Sequence, residues 1–177
     1  MKITFRKISR YAVPKTSTRV ADLLIGELDP PSLRNEPRVT DTPTLCSTAL
    51  RARMSITGLK INYTDRLEEI KFDPVKILGL KSNTINSQQV REAFIRGWIS
   101  NQLAKSRQQI IQDTIWVIKQ AKHYPHCLVI SHTFRLTIIR AYLIEGGCLL
   151  QEPKLIHKYI QPENKLLAFD QEFSYSN

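Results

Sequence analysis

Continuous apolar runs and helical stripes alternate along this chain, and the sharpest change from one to the other lies in its last third. Cys127-Leu-Val-Ile130 is uninterrupted by charge and is followed at once by Ser131-His132. A run of that length predicts a strand buried on both faces, as in a parallel sheet. From Thr133 the spacing turns helical, with Leu136, Ile139 and Leu143 on one stripe, Arg135 and Arg140 off it, and Gly146-Gly147 as the stop. Strand and helix together form one βα unit. His132 stands at its joint, where open α/β sheets bind ligands and where a helix amino terminus favours anions.

The same reading extends to the rest of the chain. Met1 to Ala12 alternates, with Ile3 and Phe5 between polar neighbours, and predicts a strand. Arg19 to Ile25 predicts a short helix ended by Gly26, Asp29-Pro-Pro-Ser32 a turn, and residues 34–43 a loop. Thr44 to Ser47 is a second strand, Ala49 to Thr57 a helix stopped by Gly58, and Ile61 to Tyr63 a third strand. A charged loop covers Thr64 to Asp73, and Pro74 to Ser82 carries no assignable pattern. Two longer helices follow. Ser87 to about Leu103 places Val90, Ala93, Phe94, Gly97 and Trp98 on one face, and Ser106 to about Lys122 opens with a Ser106/Gln109 capping box. Lys165 to Tyr175 reads as a last strand. The order βαβαβ, two helices, βα, β predicts an α/β three-layer sandwich, its mostly parallel central sheet flanked by helices on both faces.

Length and composition narrow this further. At 177 residues the chain is read as one domain, 1–177, large enough for a real core. Cys46, Cys127 and Cys148 are odd in number and have no framework spacing, which with the lack of a signal peptide predicts reduced thiols and a cytoplasmic protein. No apolar run approaches the roughly 20 residues of a membrane span. His123, His126 and Cys127 crowd together, but no second cluster completes a ligand set, so neither metal nor cofactor is expected. Charge is the outlier: 26 basic against 16 acidic residues, net +10. That excess points to anionic partners. A nucleic-acid-binding module is an alternative, but the basic residues are spread along the chain without aromatic interleaving.

Four segments fall at strand ends or just beyond them: Ser9-Arg-Tyr-Ala12, Cys46 to Arg53, Leu67 to Asp73, and Val129-Ile-Ser-His-Thr133. They offer arginines from two segments, a carboxylate from a third and an imidazole from a fourth. Guanidinium forks and an imidazole can neutralise phosphoryl oxygens, and a carboxylic acid can protonate a leaving oxygen.

These segments resemble the histidine phosphatase superfamily, the phosphoglycerate-mutase-like proteins. Ser47-Thr-Ala-Leu-Arg-Ala52 is similar to its Ser-Ser-x-Leu-x-Arg-Ala segment, and Leu67-Glu-Glu-Ile-Lys-Phe72 to its Leu-x-Glu-Ile-x-Phe-Gly segment. Val129-Ile-Ser-His132 is similar to its late Ser-His-Gly strand end, and Ile25 to Pro31 to its Gly-x-x-Asp-x-Pro-Leu loop. The motifs occur in family order over nearly the whole chain. The resemblance implies a phosphate pocket formed by Arg10, Ser17, Arg51, His132 and Thr133, with Glu69 as proton donor and Glu68 its one-residue alternative. Arg53, two positions past Arg51, is expected in solvent.

The departures carry their own implication. Tyr11 stands where the family has its nucleophilic histidine, Ala12 and Thr133 where it has glycines, and the 32–44 loop is too short for the family's first long helix. With Tyr11 in place of the nucleophile, the phosphohistidine route is lost. The expectation is a phosphomonoester or phosphorylated-ligand binder with degenerate catalysis by Tyr11, Glu69 and His132. An active phosphatase or mutase with altered mechanism is the alternative.

Overall fold

The computed structural model of the chain describes residues 2–7, 18–19, 38–49, 52–53, 56–81, 84–160 and 172–176. Strand β1 (Lys2–Lys7) comes first, and the two-residue strands β2 (Thr18–Arg19) and β3 (Arg38–Val39) precede β4 (Thr44–Ser47). Strands β5 (Ile56–Thr57) and β6 (Ile61–Thr64), helix α1 (Pro74–Leu78) and strand β7 (Thr84–Ile85) lead to helices α2 (Ser87–Ser100) and α3 (Arg107–Ala121). Then come β8 (His126–Ser131), α4 (Thr133–Glu145), the short α5 (Cys148–Gln151) and α6 (His157–Ile160), and β9 (Glu172–Ser176).

Five strands form the main sheet in the order β6-β4-β8-β1-β9. The pairs β6/β4, β4/β8 and β8/β1 are parallel, and β9 alone runs antiparallel, against β1. All four residues of β4 are buried, as are all of β8 after His126. This is the burial that an uninterrupted apolar run predicts for interior parallel strands. Register then sorts the faces. Ile3 lies opposite Cys127, Phe5 opposite Val129 and Leu45 opposite Val129, and all of them pack with Val117, Leu136 and Ile139 of α3 and α4. On the other face, Cys46, Leu128 and Ile130 meet Ala52, which is helical, and Ile56. Helices therefore cover both sides of a mostly parallel sheet, an α/β architecture.

A third cluster lies under the helices: Phe94 and Trp98 of α2, Ile110 and Ile111 of α3, Phe134 and Ile138 of α4, and Leu149, Ile156 and Ile160 beyond. Both long helices start with reciprocal caps. Asn86 pairs with Gln89 before α2, and Ser106 with Gln109 before α3 as its spacing predicts. Arg107 also donates to the last carbonyls of α2 at Trp98 and Ile99, so one side chain closes the helix that precedes it.

Several local readings need correction. The helix expected over Ala49–Thr57 stops short, because Ile56-Thr57 forms β5 and pairs in parallel with Arg38-Val39. Ile56 is buried there, and two β-branched residues favour a strand over the end of a helix. The unassigned stretch after Asp73 forms α1, with the Asp73 carboxylate accepting from Lys76 N–H, Pro74 in the first turn and Gly79 as a left-handed stop at φ 66°. Arg19, placed in a helix by its pattern, lies in β2 against Thr84 of β7. Residues 8–12, 20–25 and 165–171, parts of three predicted elements, lie outside the described residues.

Candidate functional site

Parallel strands end at a common edge, and here that edge gathers the chemistry. Ser47 ends β4, Ser131 ends β8, and Thr64 of β6 leads through a 3₁₀ turn at Asp65–Leu67 to Glu68 and Glu69. Ser131 is buried and its hydroxyl donates to the Leu67 carbonyl, which ties the end of β8 to the turn.

His132 is the residue before α4, with extended backbone angles, and its own side chain makes no cap. The cap comes from elsewhere. Oε1 of Glu69 accepts from Arg135 N–H at 3.1 Å, and Oε2 lies 3.4 Å from Phe134 N. Oε1 also accepts from Ile70 N–H at 3.0 Å. A carboxylate thus occupies the helix amino terminus that sequence reasoning offered to a phosphate. Relieved of capping, the buried imidazole turns to β4, with Nε2 3.1 Å from Ser47 Oγ. The same hydroxyl accepts from Ala49 N–H, so Ser47 is held between its own turn and the histidine ring.

The two glutamates are separated by their partners. Glu68 takes a short hydrogen bond from the Thr48 hydroxyl. Glu69 faces the first turn of α4 beside His132. Burial pushes the Glu69 carboxyl above the ordinary glutamate range, and the three N–H donors and the Arg135 charge pull the other way. A carboxyl with a raised pKa at this strand edge suits proton donation.

Behind this edge lies a residue that the sequence pattern placed off the apolar stripe of α4. Arg135 is 2% exposed. Its Nε donates to the Glu68 carbonyl at 3.1 Å, Nη2 lies 3.9 Å from Asp113, and Nη1 has no partner among the described residues. Asp113 also takes Lys105 at 2.9 Å and Arg66 at 3.7 Å, and Arg66 lies 4.7 Å over the Trp116 ring. The missed signal was the crowding of α4. Ile138, Ile139 and Ala141 widen its apolar surface beyond one stripe, so residues 134–139 of α4 are buried on all sides, Arg135 with them, while Arg140 further on stays exposed. Ser47 was likewise noted only as part of a motif, not as the partner of His132.

An aromatic trio joins the site to the core. Phe72, three residues past Glu69, meets Phe94 and Phe134 edge-on at 5.5 Å, and Phe94 stacks on Phe134 at 4.2 Å. The segments that carry Glu69 and His132 are thereby anchored on α2.

Of the predicted site residues, Glu69 and His132 come together at the start of α4, with Thr133 as its first, half-buried residue. Arg10, Tyr11, Ser17 and Arg51 lie outside the described residues. Arg53 is exposed, 5.2 Å over the Tyr63 ring. Among the described residues no cluster of His, Cys, Asp and Glu could hold a metal ion, and no helix is long and apolar enough to cross a membrane.

No family model and no curated protein matches the chain. Among solved structures it is similar to an Escherichia coli protein assigned as an alpha-ribazole-5'-P phosphatase. The identity is 16% over 81% of this chain and 80% of that one, with a TM-score of 0.44.

Proposed function

We propose that this chain is one histidine-phosphatase-like domain that binds a phosphomonoester or phosphorylated ligand at the carboxyl edge of its sheet, with its hydrolytic chemistry degenerate. The observation that carries the reading is the meeting of Ser47, Glu69 and His132, one from each of three motif segments, at a single strand edge. Two further arguments come from chain connectivity. Strand β1 ends with Lys7 opposite Ser131, and Arg10 follows three residues later, a reach of at most about 10 Å. Arg51 adjoins Ala52, which packs on Cys46 and Ile130 near the ends of β4 and β8.

In this reading the guanidinium groups of Arg10 and Arg51 and the His132 ring neutralise the phosphoryl oxygens, and the Ser17 and Thr133 hydroxyls donate to them. Glu69, whose carboxyl burial raises above the ordinary glutamate range, is the group that supplies the proton a leaving oxygen needs. Tyr11 takes the place of the nucleophile. A phenol titrates near ~10, so it is protonated at neutral pH, and a tyrosyl phosphate is too stable an ester to turn over. Binding outlasts catalysis.

Calorimetry with inorganic phosphate and phenyl phosphate tests this. Micromolar to millimolar binding is expected, weakened about tenfold or more by Arg51→Ala or His132→Ala, as charge-assisted bonds of about 1.5–3 kcal/mol require. Tyr11→His is expected to raise hydrolysis of an aryl phosphate. Absence of binding, or binding indifferent to both alanine variants, overturns the pocket. Ordinary enzymatic turnover abolished by Tyr11→Phe overturns the degenerate reading.

A further inference from the structure

We infer that Arg135 is the positioning residue of this site: one residue binds the Glu69 carboxylate through its backbone N–H and the Glu68 peptide through its guanidinium, and so sets where the proton-donating carboxyl points. The inference rests on the proposed function for what Glu69 does, but not for how Glu69 is held.

The geometry is reciprocal. Glu69 caps the helix through Arg135 N–H, and Arg135 Nε returns a bond to the carbonyl of Glu68 at 3.1 Å. Two bonds from the single residue Arg135 to the adjacent Glu68 and Glu69 restrict rotation about either one. The far end of the guanidinium is oriented by Asp113 of α3. The chain from α3 through Arg135 to Glu69 is therefore continuous, and its last link is the carboxyl beside His132.

A purely structural account fits poorly. The guanidinium is buried, and its Nη1 has no partner among the described residues. A buried cation left short of one partner is disfavoured relative to an apolar side chain of similar size. Burial disfavours the Arg135 charge, and the carboxylates of Asp113, Glu69, Glu68 and Asp65 sustain it. The groups facing this cluster are Asp65, Arg66, Glu68 and Glu69 from the turn after β6, Lys105 and Asp113 from α3 and the loop before it, and His132 at the start of α4. Among them Arg135 is the cation that also contacts the Glu68-Glu69 backbone and carboxylate directly.

The test is the titration of Glu69 in the ligand-free full chain, read by carboxyl-carbon NMR. Arg135→Gln keeps the backbone N–H and removes the charge, so the Glu69 midpoint is expected to move upward. Loss of packing alone would admit water and move it downward, towards an ordinary glutamate. A downward or absent shift overturns the assignment. Asp113→Asn removes a competing carboxylate and is expected to move Glu69 downward while the Phe134 and Arg135 amides keep their exchange protection. A midpoint that stays put or rises there also overturns it, and this variant serves if Arg135→Gln fails to fold. Arg135→Lys, which restores the charge, is expected to return Glu69 towards its wild-type midpoint. Phosphate titrations on the same samples separate the two ideas. If Glu69 shifts as stated while the protein ignores phosphate, Arg135 keeps its role and the phosphate reading falls. If phosphate binds through His132 and Arg135→Gln leaves Glu69 unmoved, the reverse holds.

Discussion

The core beneath α2 and the polar edge at the start of α4 are buried alike but held differently. Under α2 the packing is apolar: Phe94, Trp98, Ile110, Ile138 and Leu149 contribute area and shape. Buried hydroxyls on the nearby helices are satisfied within one turn, Thr114 by Ile110 and Thr137 by Thr133. At the edge, the buried polar groups find partners far away in sequence. Ser47 meets His132 across 85 positions, Ser131 meets Leu67 across 64, and Arg135 meets Glu68 across 67. An apolar core tolerates many residues of suitable volume, whereas each long-range polar bond specifies one partner. The two regions meet at Phe72 and Phe134, so the stability of the core is what keeps the edge assembled.

Breaking the apolar side has the largest expected effect. Phe94→Ala, which removes the ring stacked on Phe134, is expected to cost about 3–5 kcal/mol, read as a fall in the urea midpoint. At the edge, Ser47→Ala leaves the buried His132 Nε2 without its hydroxyl partner and is expected to cost about 1–3 kcal/mol, with Ser47→Thr recovering part of it. If Ser47→Ala cost as much as Phe94→Ala, the edge rather than the aromatic core would hold the fold.

A pH series sharpens the contrast further. Burial raises the Glu69 pKa above its unfolded value of about 4.3, so the folded state prefers the protonated acid. The ionised form then lowers stability above the raised value, and the penalty vanishes below about 4.3. Glu69→Gln lacks this titration, so its urea midpoint should gain on wild type as pH rises through the window from about 4.3 upward, then level off. A gain that shrinks with rising pH would mean that the N–H donors and Arg135 outweigh burial. The smallest effect belongs to the thiols. Burial pushes Cys46 up to about 12 and Cys127 to about 11, whereas Cys148 is exposed. Iodoacetamide at pH 8 should alkylate Cys148 in the native protein and reach the other two only on unfolding.

Much of the framework could be read along the chain because its causes are local. The run from Cys127 to Ile130, the capping box at Ser106 and Gln109, and the helix stop at Gly146 depend on residues a few positions apart, and each lies where its pattern puts it. Local signals misled at Ile56-Thr57, where pairing with Arg38-Val39 overrode a helical stripe. They were silent at Arg135, which lies off the apolar stripe and is buried all the same.

What the sequence determined by itself was the larger elements, β1, β4, β6, α2, α3, β8 and α4, because periodicity of two or 3.6 residues records burial along one element. Only tertiary structure could decide that Glu69 rather than His132 caps α4, that His132 turns to Ser47, and that Arg135 lies behind them with Asp113. Those contacts join residues on different elements. They follow from the order and register of parallel strands and the packing of α3 and α4, which no short stretch of sequence encodes.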